Sequence, residues 1–401
     1  MGKKKEKEKM ALKKGKSQFN LIGEVKVSDF TFDLDKLADS GWQYSRMNLS
    51  VNCGNGNNVF CEMMGGFGTK AWEQKSGKKN VVYARDKNFK PFQIDWEDRF
   101  NEEIIKQVSP MNMVKVGIEK DANDNTFDKK FLSEYDAIEY LSEHLEDGAV
   151  VNIKGNLVYS IYNDNIQVKK EVNSIFLSKK KPEGYDARFT QSILIDKDSL
   201  GKLDKETKTF PVSARVLDYT KMWNDKEVRT TVPFPVNFEI KVNEEKPEVT
   251  KKMIDKYFKN VKGIDELAVD GKIVEGQESV TVSLEDIPED IKELIEIGVY
   301  SEDEIIGKMA AGGDKVKKMY ITKPHVRMDK GDDDSKQVTV QMFYEKDKYT
   351  EEDLILDFMF EDDGEDETEE SQQADVSSDE DDDDDWLKEL AEDDGDEEVP
   401  F

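Results

Sequence analysis

Residues 69–92 place seven basic side chains among four aromatic rings, with only two acids between them. Lys70, Lys75, Lys78, Lys79, Arg85, Lys87 and Lys90 are interleaved with Trp72, Tyr83, Phe89 and Phe92. A single nucleic-acid strand is held by cations that follow its phosphates and by rings on which its bases stack. This stretch carries both kinds of group. The plainer alternative is that the rings anchor a surface loop to the body. Trp42, Tyr44 and Arg46 upstream, and Tyr159 and Tyr162 downstream, could line the same surface or pack inward. A thinner cluster follows at Arg215, Tyr219, Lys221, Trp223 and Arg229. Another follows at Lys315, Lys317, Lys318, Tyr320, Lys323 and Arg327. For both of these the bland reading is a charged solvent face with a few rings turned inward.

The residues for catalysis do not assemble in the sequence. Gly65-Gly66-Phe67-Gly68-Thr69-Lys70 looks faintly like a phosphate loop but lacks the required spacing, and a flexible binding loop is the better reading. His144 and His325 are far apart in sequence. Cys53 and Cys61 have no second ligand pair to complete a zinc site. The expectation is a binding protein without cofactor or metal, not an enzyme.

Charge sharpens this. The net charge of −30 is spread very unevenly over the 401 residues. Residues 361–401 hold 23 acids and the single base Lys388. Residues 1–16 hold eight lysines and two glutamates, which predicts a mobile basic arm that touches phosphates or an acidic tail. The body between them is acidic on balance, so a polyanion could bind only where its basic residues gather on one face. Two cysteines in so long a chain fit a reducing compartment. The lysine-rich start lacks the apolar stretch of a secretory signal, and no run is long enough to span a membrane. The expectation is a soluble cytoplasmic protein.

The elements that must position these groups are mostly strands. Phe19–Phe30 alternates partly, Tyr44–Val51 and Val59–Met64 follow, and Asn55-Gly56 between the last two signals a hairpin. Residues 65–110 read as irregular. Met113–Ile118 reads as a strand, and Phe131, Tyr135, Ile138, Leu141 and Leu145 recur at helical steps. Val150–Tyr159 and Ile166–Leu177 then read as two more strands. Three strands, a helix and two strands is the order of an OB-fold, a five-stranded Greek-key barrel. A linker near Lys179–Gly184 precedes a second, looser pass through a similar plan. There Phe189–Ile195, Phe210–Tyr219 and Val232–Val242 read as strands, and Val249–Phe258 and Pro288–Met309 as helices. Lys315–Val326 and Gln337–Tyr344 read as closing strands. The expected organisation is a basic arm over 1–16, an OB-fold over 17–181, a second OB-like domain over 185–360 and a disordered acidic tail over 361–401.

The tail carries the most specific signal. It ends Asp393-Asp394-Gly395-Asp396-Glu397-Glu398-Val399-Pro400-Phe401. This resembles the tail of the bacterial and phage single-stranded DNA-binding proteins, where an acidic stretch closes on Ile-Pro-Phe. Val399 stands in the isoleucine place, and Gly395 interrupts the acids. The resemblance covers some ten residues of tail, with a looser likeness of strand order over 19–178. It implies a docking peptide in which Phe401 enters an apolar pocket while Glu397, Glu398 and the terminal carboxylate meet basic groups. Pro400 limits the entropy lost on docking. Trp386, Leu387 and Leu390 form a second apolar island at helical spacing.

Together these readings predict a mainly β protein that coats single-stranded DNA during replication, recombination or repair and recruits DNA-processing proteins through its tip. Its length suggests a phage-encoded member acting in a bacterial host, with self-association on DNA as a further expectation. The rival from another class is an acidic adaptor, chaperone or DNA mimic that binds basic proteins instead of DNA.

Overall fold

The computed structural model describes residues 9–120, 126–224, 226–277, 315–330 and 338–356, with positions 287, 291, 292, 295 and 358. The expected helix over Pro288–Met309 and the tail from Glu361 onward lie outside these residues, isolated positions apart. The protein is mainly β.

Its first unit starts with β1 (Ser17–Lys26), β2 (Phe32–Leu37), β3 (Trp42–Asn52) and β4 (Asn58–Gly68). The insertion that follows holds α1 (Lys70–Ser76), a hairpin of β5 (Val81–Arg85) and β6 (Pro91–Asp95), and the short α2 (Glu102–Ile105). The chain then passes through β7 (Val114–Gly117), β8 (Lys129–Phe131) and α3 (Glu134–His144) to β9 (Val150–Tyr162) and β10 (Asn165–Leu177). Pairing closes a barrel: β1 on β3, β3 on β4, β4 parallel to β10, β10 on β9, and β9 back on β1. This is OB-fold closure, with α3 between the third and fourth barrel strands. Ser133 caps α3 by accepting from the Tyr135 amide at 3.1 Å. The helix buries Tyr135, Ala137, Ile138 and Leu141.

The second unit repeats the plan with β11 (Asp186–Ile195), β12 (Thr209–Trp223), β13 (Lys226–Lys241), α4 (Pro247–Tyr257), β14 (Ile264–Gln277) and β15 (Lys315–Pro324). β11 pairs β12, β12 pairs β13, β13 runs parallel to β15, β15 pairs β14, and β14 returns to β11. The chain continues as β16 (Val326–Lys330), β17 (Val338–Met342) and β18 (Tyr344–Tyr349). The two barrels share one apolar core running from Phe19 through Phe189 to Ile321.

Three expectations change. First, 65–110 is not irregular. Gly65–Gly68 belong to β4, Thr69 caps α1 by accepting from the Trp72 amide, and Gly77 ends α1 in a left-handed conformation. The glycine run is therefore strand, not flexible loop, and Gly68 is needed because the Trp72 ring packs on its Cα. Second, β14 went unread. It pairs on both sides, and its first half, residues 264–269, is almost wholly buried on both faces, so no alternation marks where the strand begins. Third, residues 9–16 are not free of the body. Lys14 binds Asp218 at 2.5 Å, the Met10 amide donates to Asp353 at 2.8 Å, and Lys9 reaches the Ile355 carbonyl at 3.1 Å.

Candidate nucleic-acid interface

Along β3 and β4 alternate side chains enter the barrel, so Met47, Leu49, Val51, Val59, Cys61 and Met63 are buried. The Cys53 and Cys61 thiols are both pushed up to about 12, chiefly by burial, which marks them as core groups. The opposite parity builds an outer face from Tyr44, Arg46 and Asn48 on β3 beside Phe60, Glu62 and Met64 on β4. Phe60 is 62% exposed, a large ring on open strand where no core explains it. Sequence reading missed it because Phe in an alternating strand is normally core. Arg46 binds Glu62 at 2.8 Å, and Lys169 on β10 binds the same carboxylate at 3.1 Å. Desolvation raises the Glu62 pKa, but the hydrogen bonds from Lys169 and Arg46 outweigh it and hold the carboxyl below its ordinary value. Two cations therefore share one acid. The Nε of Arg46 is buried and has no hydrogen-bond partner. Beside it a cleft of about 570 Å3 runs from Asn48 and Phe60 past Lys169 to Lys317 of the second barrel.

The insertion stands next to this face. Val82, Ala84, Phe92 and Ile94 turn one side of the β5–β6 hairpin onto Val108 and Met113, forming a small core of their own. The other side and the tip are left to solvent. Tyr83 is 75% exposed and Phe89 56%, with Arg85, Lys87 and Lys90 around them. Phe89 takes a positive φ of 62°, held by the Arg85 guanidinium on its carbonyl at 3.0 Å. Lys70, Lys87 and Lys90 are exposed and have no carboxylate partner among the described residues, while Lys78 lies near Glu227. Lys79 is held by Asp95 at 2.6 Å, and Lys75 by the Asp39 carbonyl at 2.8 Å. Arg99 anchors the insertion, binding Asp136 of α3 at 2.9 Å and covering the Trp96 ring at 4.0 Å. Trp42 and Trp72 meet edge to face at 5.4 Å, so these half-buried rings fasten α1 to the barrel and do not offer free stacking faces.

Other sequence-predicted residues fall elsewhere. Tyr159 is corrected to core: it is fully buried and stacks on Phe234. Trp223 packs on Phe234 and Phe358. Arg215 lies between Asp196 and Glu351, at 3.8 and 3.3 Å, and Arg229 pairs with Glu227. Tyr162, Tyr219 and Lys221 are exposed, at or near the β9–β10 and β12–β13 turns. Those turns touch through Asp164 and Asn224. Glu397, Glu398, Val399, Pro400 and Phe401 lie outside the described residues.

Part of the corresponding face of the second barrel is covered by the chain itself, while Pro211, Ser213, Tyr219, Pro235 and Asn237 on it stay exposed. Leu194, Leu217 and Ile264 pack with Tyr349 and Leu354 from beyond the barrel, and Leu12 of the N-terminal segment packs against them. Opposite Leu217 and Arg215 stand Pro233 and Pro235.

A model of the family described as YorF matches residues 101–302, from the end of the insertion past β14. The chain belongs to the YorF family. No curated protein matches the sequence. Among solved structures, the wild-type single-stranded DNA-binding protein of Thermus aquaticus is 13% identical with a TM-score of 0.29, covering 66% of this chain and 87% of that one. A deletion mutant of the same protein is 11% identical with a TM-score of 0.29, covering 65% and 88%. Both likenesses are too loose to bear on function. Among the described residues no helix is long and apolar enough to cross a membrane.

Proposed function

We propose that this protein binds single-stranded DNA, largely without regard to sequence, and acts as a binding protein, not as an enzyme. The observation that carries the proposal is the open outer face of the first barrel. Tyr44, Arg46 and Phe60 lie on the two strands through which OB-folds take oligonucleotides. An insertion with exposed Tyr83 and Phe89, and with Lys70, Lys87 and Lys90 free of carboxylate partners among the described residues, flanks them. Rings and phosphate-length cations on one surface suit a strand with free bases; a duplex hides its base faces.

The protein would coat such strands during replication, recombination or repair, in the cytoplasm of a bacterial host if phage-encoded. The tail from Glu361 supplies the second half of the proposal. Its tip, Glu397 to Phe401, would dock DNA-processing proteins by an apolar-Pro-Phe anchor behind acids. Its −22 charge makes it a competitor of DNA for the cations of the face. The acidic-adaptor reading leaves the exposed rings of the first barrel without a role.

The test is a fluorescence titration of the full chain with oligothymidine and with duplex of equal length, at low and moderate salt. Tight single-strand binding that weakens with salt and exceeds duplex binding supports the proposal. No single-strand binding by the full chain or by a chain lacking 361–401 overturns it.

A further inference from the structure

Beyond the open face lies a second feature with ligand chemistry. The barrels join through β1 and β11, so that β10, β9, β1, β11, β14 and β15 form one six-stranded antiparallel sheet. The seam has internal two-fold correspondence that the sequence hides. Phe19 pairs with Phe189 across it. Phe19 sits opposite Gly155, and Phe189 opposite Gly271, where a Cβ would strike the ring. Each barrel then bulges one residue further along its last strand, at Asn173 and at Thr322. The rings point into the cores, and the opposite side of the sheet faces out.

On that outer side lies a groove of about 720 Å3 that crosses the seam and includes both bulged residues. Its first-barrel half is rich in amides: Gln18, Asn20, Asn156 and Asn173. The buried Oδ1 of Asn20 has no hydrogen-bond partner. Its cations are Lys154, Arg188, Lys272 and Lys323. Asp186 holds Arg188 and Lys272, while Lys154 and Lys323 have no carboxylate partner among the described residues. The acid in the lining, Asp270, is engaged by the Thr190 hydroxyl at 2.7 Å and by His325 Nδ1 at 2.8 Å. None of the exposed large apolar side chains lies in the groove. A stable interface with a second copy needs an apolar centre, so the lining favours a polar, anionic ligand.

The groove is also continuous with the proposed site. Asn156 and Asn173 line both it and a cleft of about 370 Å3 that reaches Gly66 of β4 and Tyr83 of the hairpin. The outer walls of β4, β10 and β9 adjoin, with Glu62 of β4 and Glu171 of β10 side by side between Phe60 and Asn156.

We propose that this groove is a second subsite for single-stranded DNA. It carries the strand from the open face of the first barrel across the seam, with Lys154 and Lys323, four strand spacings or roughly 19 Å apart, on phosphates several nucleotides apart and the amides on base edges. This rests on the function proposed above. It assigns the second barrel a role through Lys323 although its own outer face is partly covered.

The test compares oligothymidines of about eight and about thirty nucleotides, the shorter within the reach of one OB-fold. The full chain is used, native and as Lys154→Glu/Lys323→Glu, with Lys154→Arg/Lys323→Arg as the charge-keeping variant and thermal melts to confirm folding. The charge-reversed variant should lose about tenfold or more on the long strand, with a shallower salt dependence, and under about twofold on the short one. The arginine variant should bind both as native. Equal binding of the long strand by native and charge-reversed protein overturns the groove alone. Failure of the native chain to bind either strand overturns the function and the groove with it. A native dimer in sedimentation that the charge-reversed variant abolishes, with short-strand binding intact and no length-dependent loss, would assign the groove to a second copy instead.

Discussion

The two barrels have the same strand order, the same parallel closure, the same helix position and the same bulge, yet their outer walls differ. On the first barrel Arg46 and Lys169 share a single acid, Phe60 is open, and a hairpin of unpaired lysines stands alongside. On the second barrel Arg215 lies between two acids, Pro235 stands opposite it, and Leu12, Tyr349 and Leu354 cover the patch around Leu194 and Leu217. The difference teaches that OB closure makes a scaffold, and that whether it binds depends on what the rest of the chain leaves uncovered.

The largest expected effect breaks the join between the two barrels. Lys170 and Glu275 pair at 2.5 Å, nearly buried, between β10 and β14. Glu275 also receives the Phe60 amide at 3.2 Å, and its own amide donates to Asn57. Glu275→Ala leaves a buried ammonium unpaired and should cost about 3–5 kcal/mol in urea unfolding. A loss below about 1 kcal/mol would mean the barrels stand independently.

The next effect separates the barrels by function. Phe60→Ala should weaken oligothymidine binding by about 1–3 kcal/mol, the range for one lost stacking ring, with no matching change in melting temperature. Tyr219→Ala on the second barrel should change it far less. Equal losses would erase the proposed asymmetry. Smaller again is the tail. Removing 361–401 should raise single-strand affinity several-fold at low salt and little at high salt, because competition by a polyanion is screened. Affinity unchanged at low salt would count against that competition.

The smallest effect tunes the open face. Glu62 has a lowered pKa, desolvation being outweighed by its bonds to Lys169 and Arg46. Its ion pairs therefore stabilise the fold above the ordinary carboxylate value, and that contribution is lost as pH falls through the lowered one. Glu62→Gln should copy the protonated form at neutral pH and free both cations. The expected result is a gain of a few-fold in single-strand affinity and a steeper salt dependence, checked by the same titration.

Much of this was legible before the coordinates. Half-buried strands such as β3, β4, β9 and β12 show their alternation, and α3 its helical stripe. The basic-aromatic run was found by composition. β14 was not, since burial of residues 264–269 on both faces erases the period there, and residues 69–92 read only as loop or hairpin, because the short apolar alternation of β5 and β6 is diluted by surface charge. Which rings face outward was the least readable property. Phe60 and Tyr159 both sit on alternating strands, and only the closure of the barrel decides that one is open and the other buried. The partial covering of the second barrel depends on Leu12 packing against the cluster that holds Tyr349 and Leu354, a meeting of the two ends of the body that no local pattern encodes.

The central claim is that DNA lies on the open wall of the first barrel and not on the partly covered wall of the second. Ultraviolet cross-linking of oligothymidine to the full chain, followed by peptide mapping, tests it most directly. The account predicts cross-links in peptides bearing Phe60, Tyr83 and Phe89. Cross-links confined to peptides bearing Leu12, Leu217 or Tyr349, or none in the presence of demonstrable binding to the first-barrel variants, would contradict it.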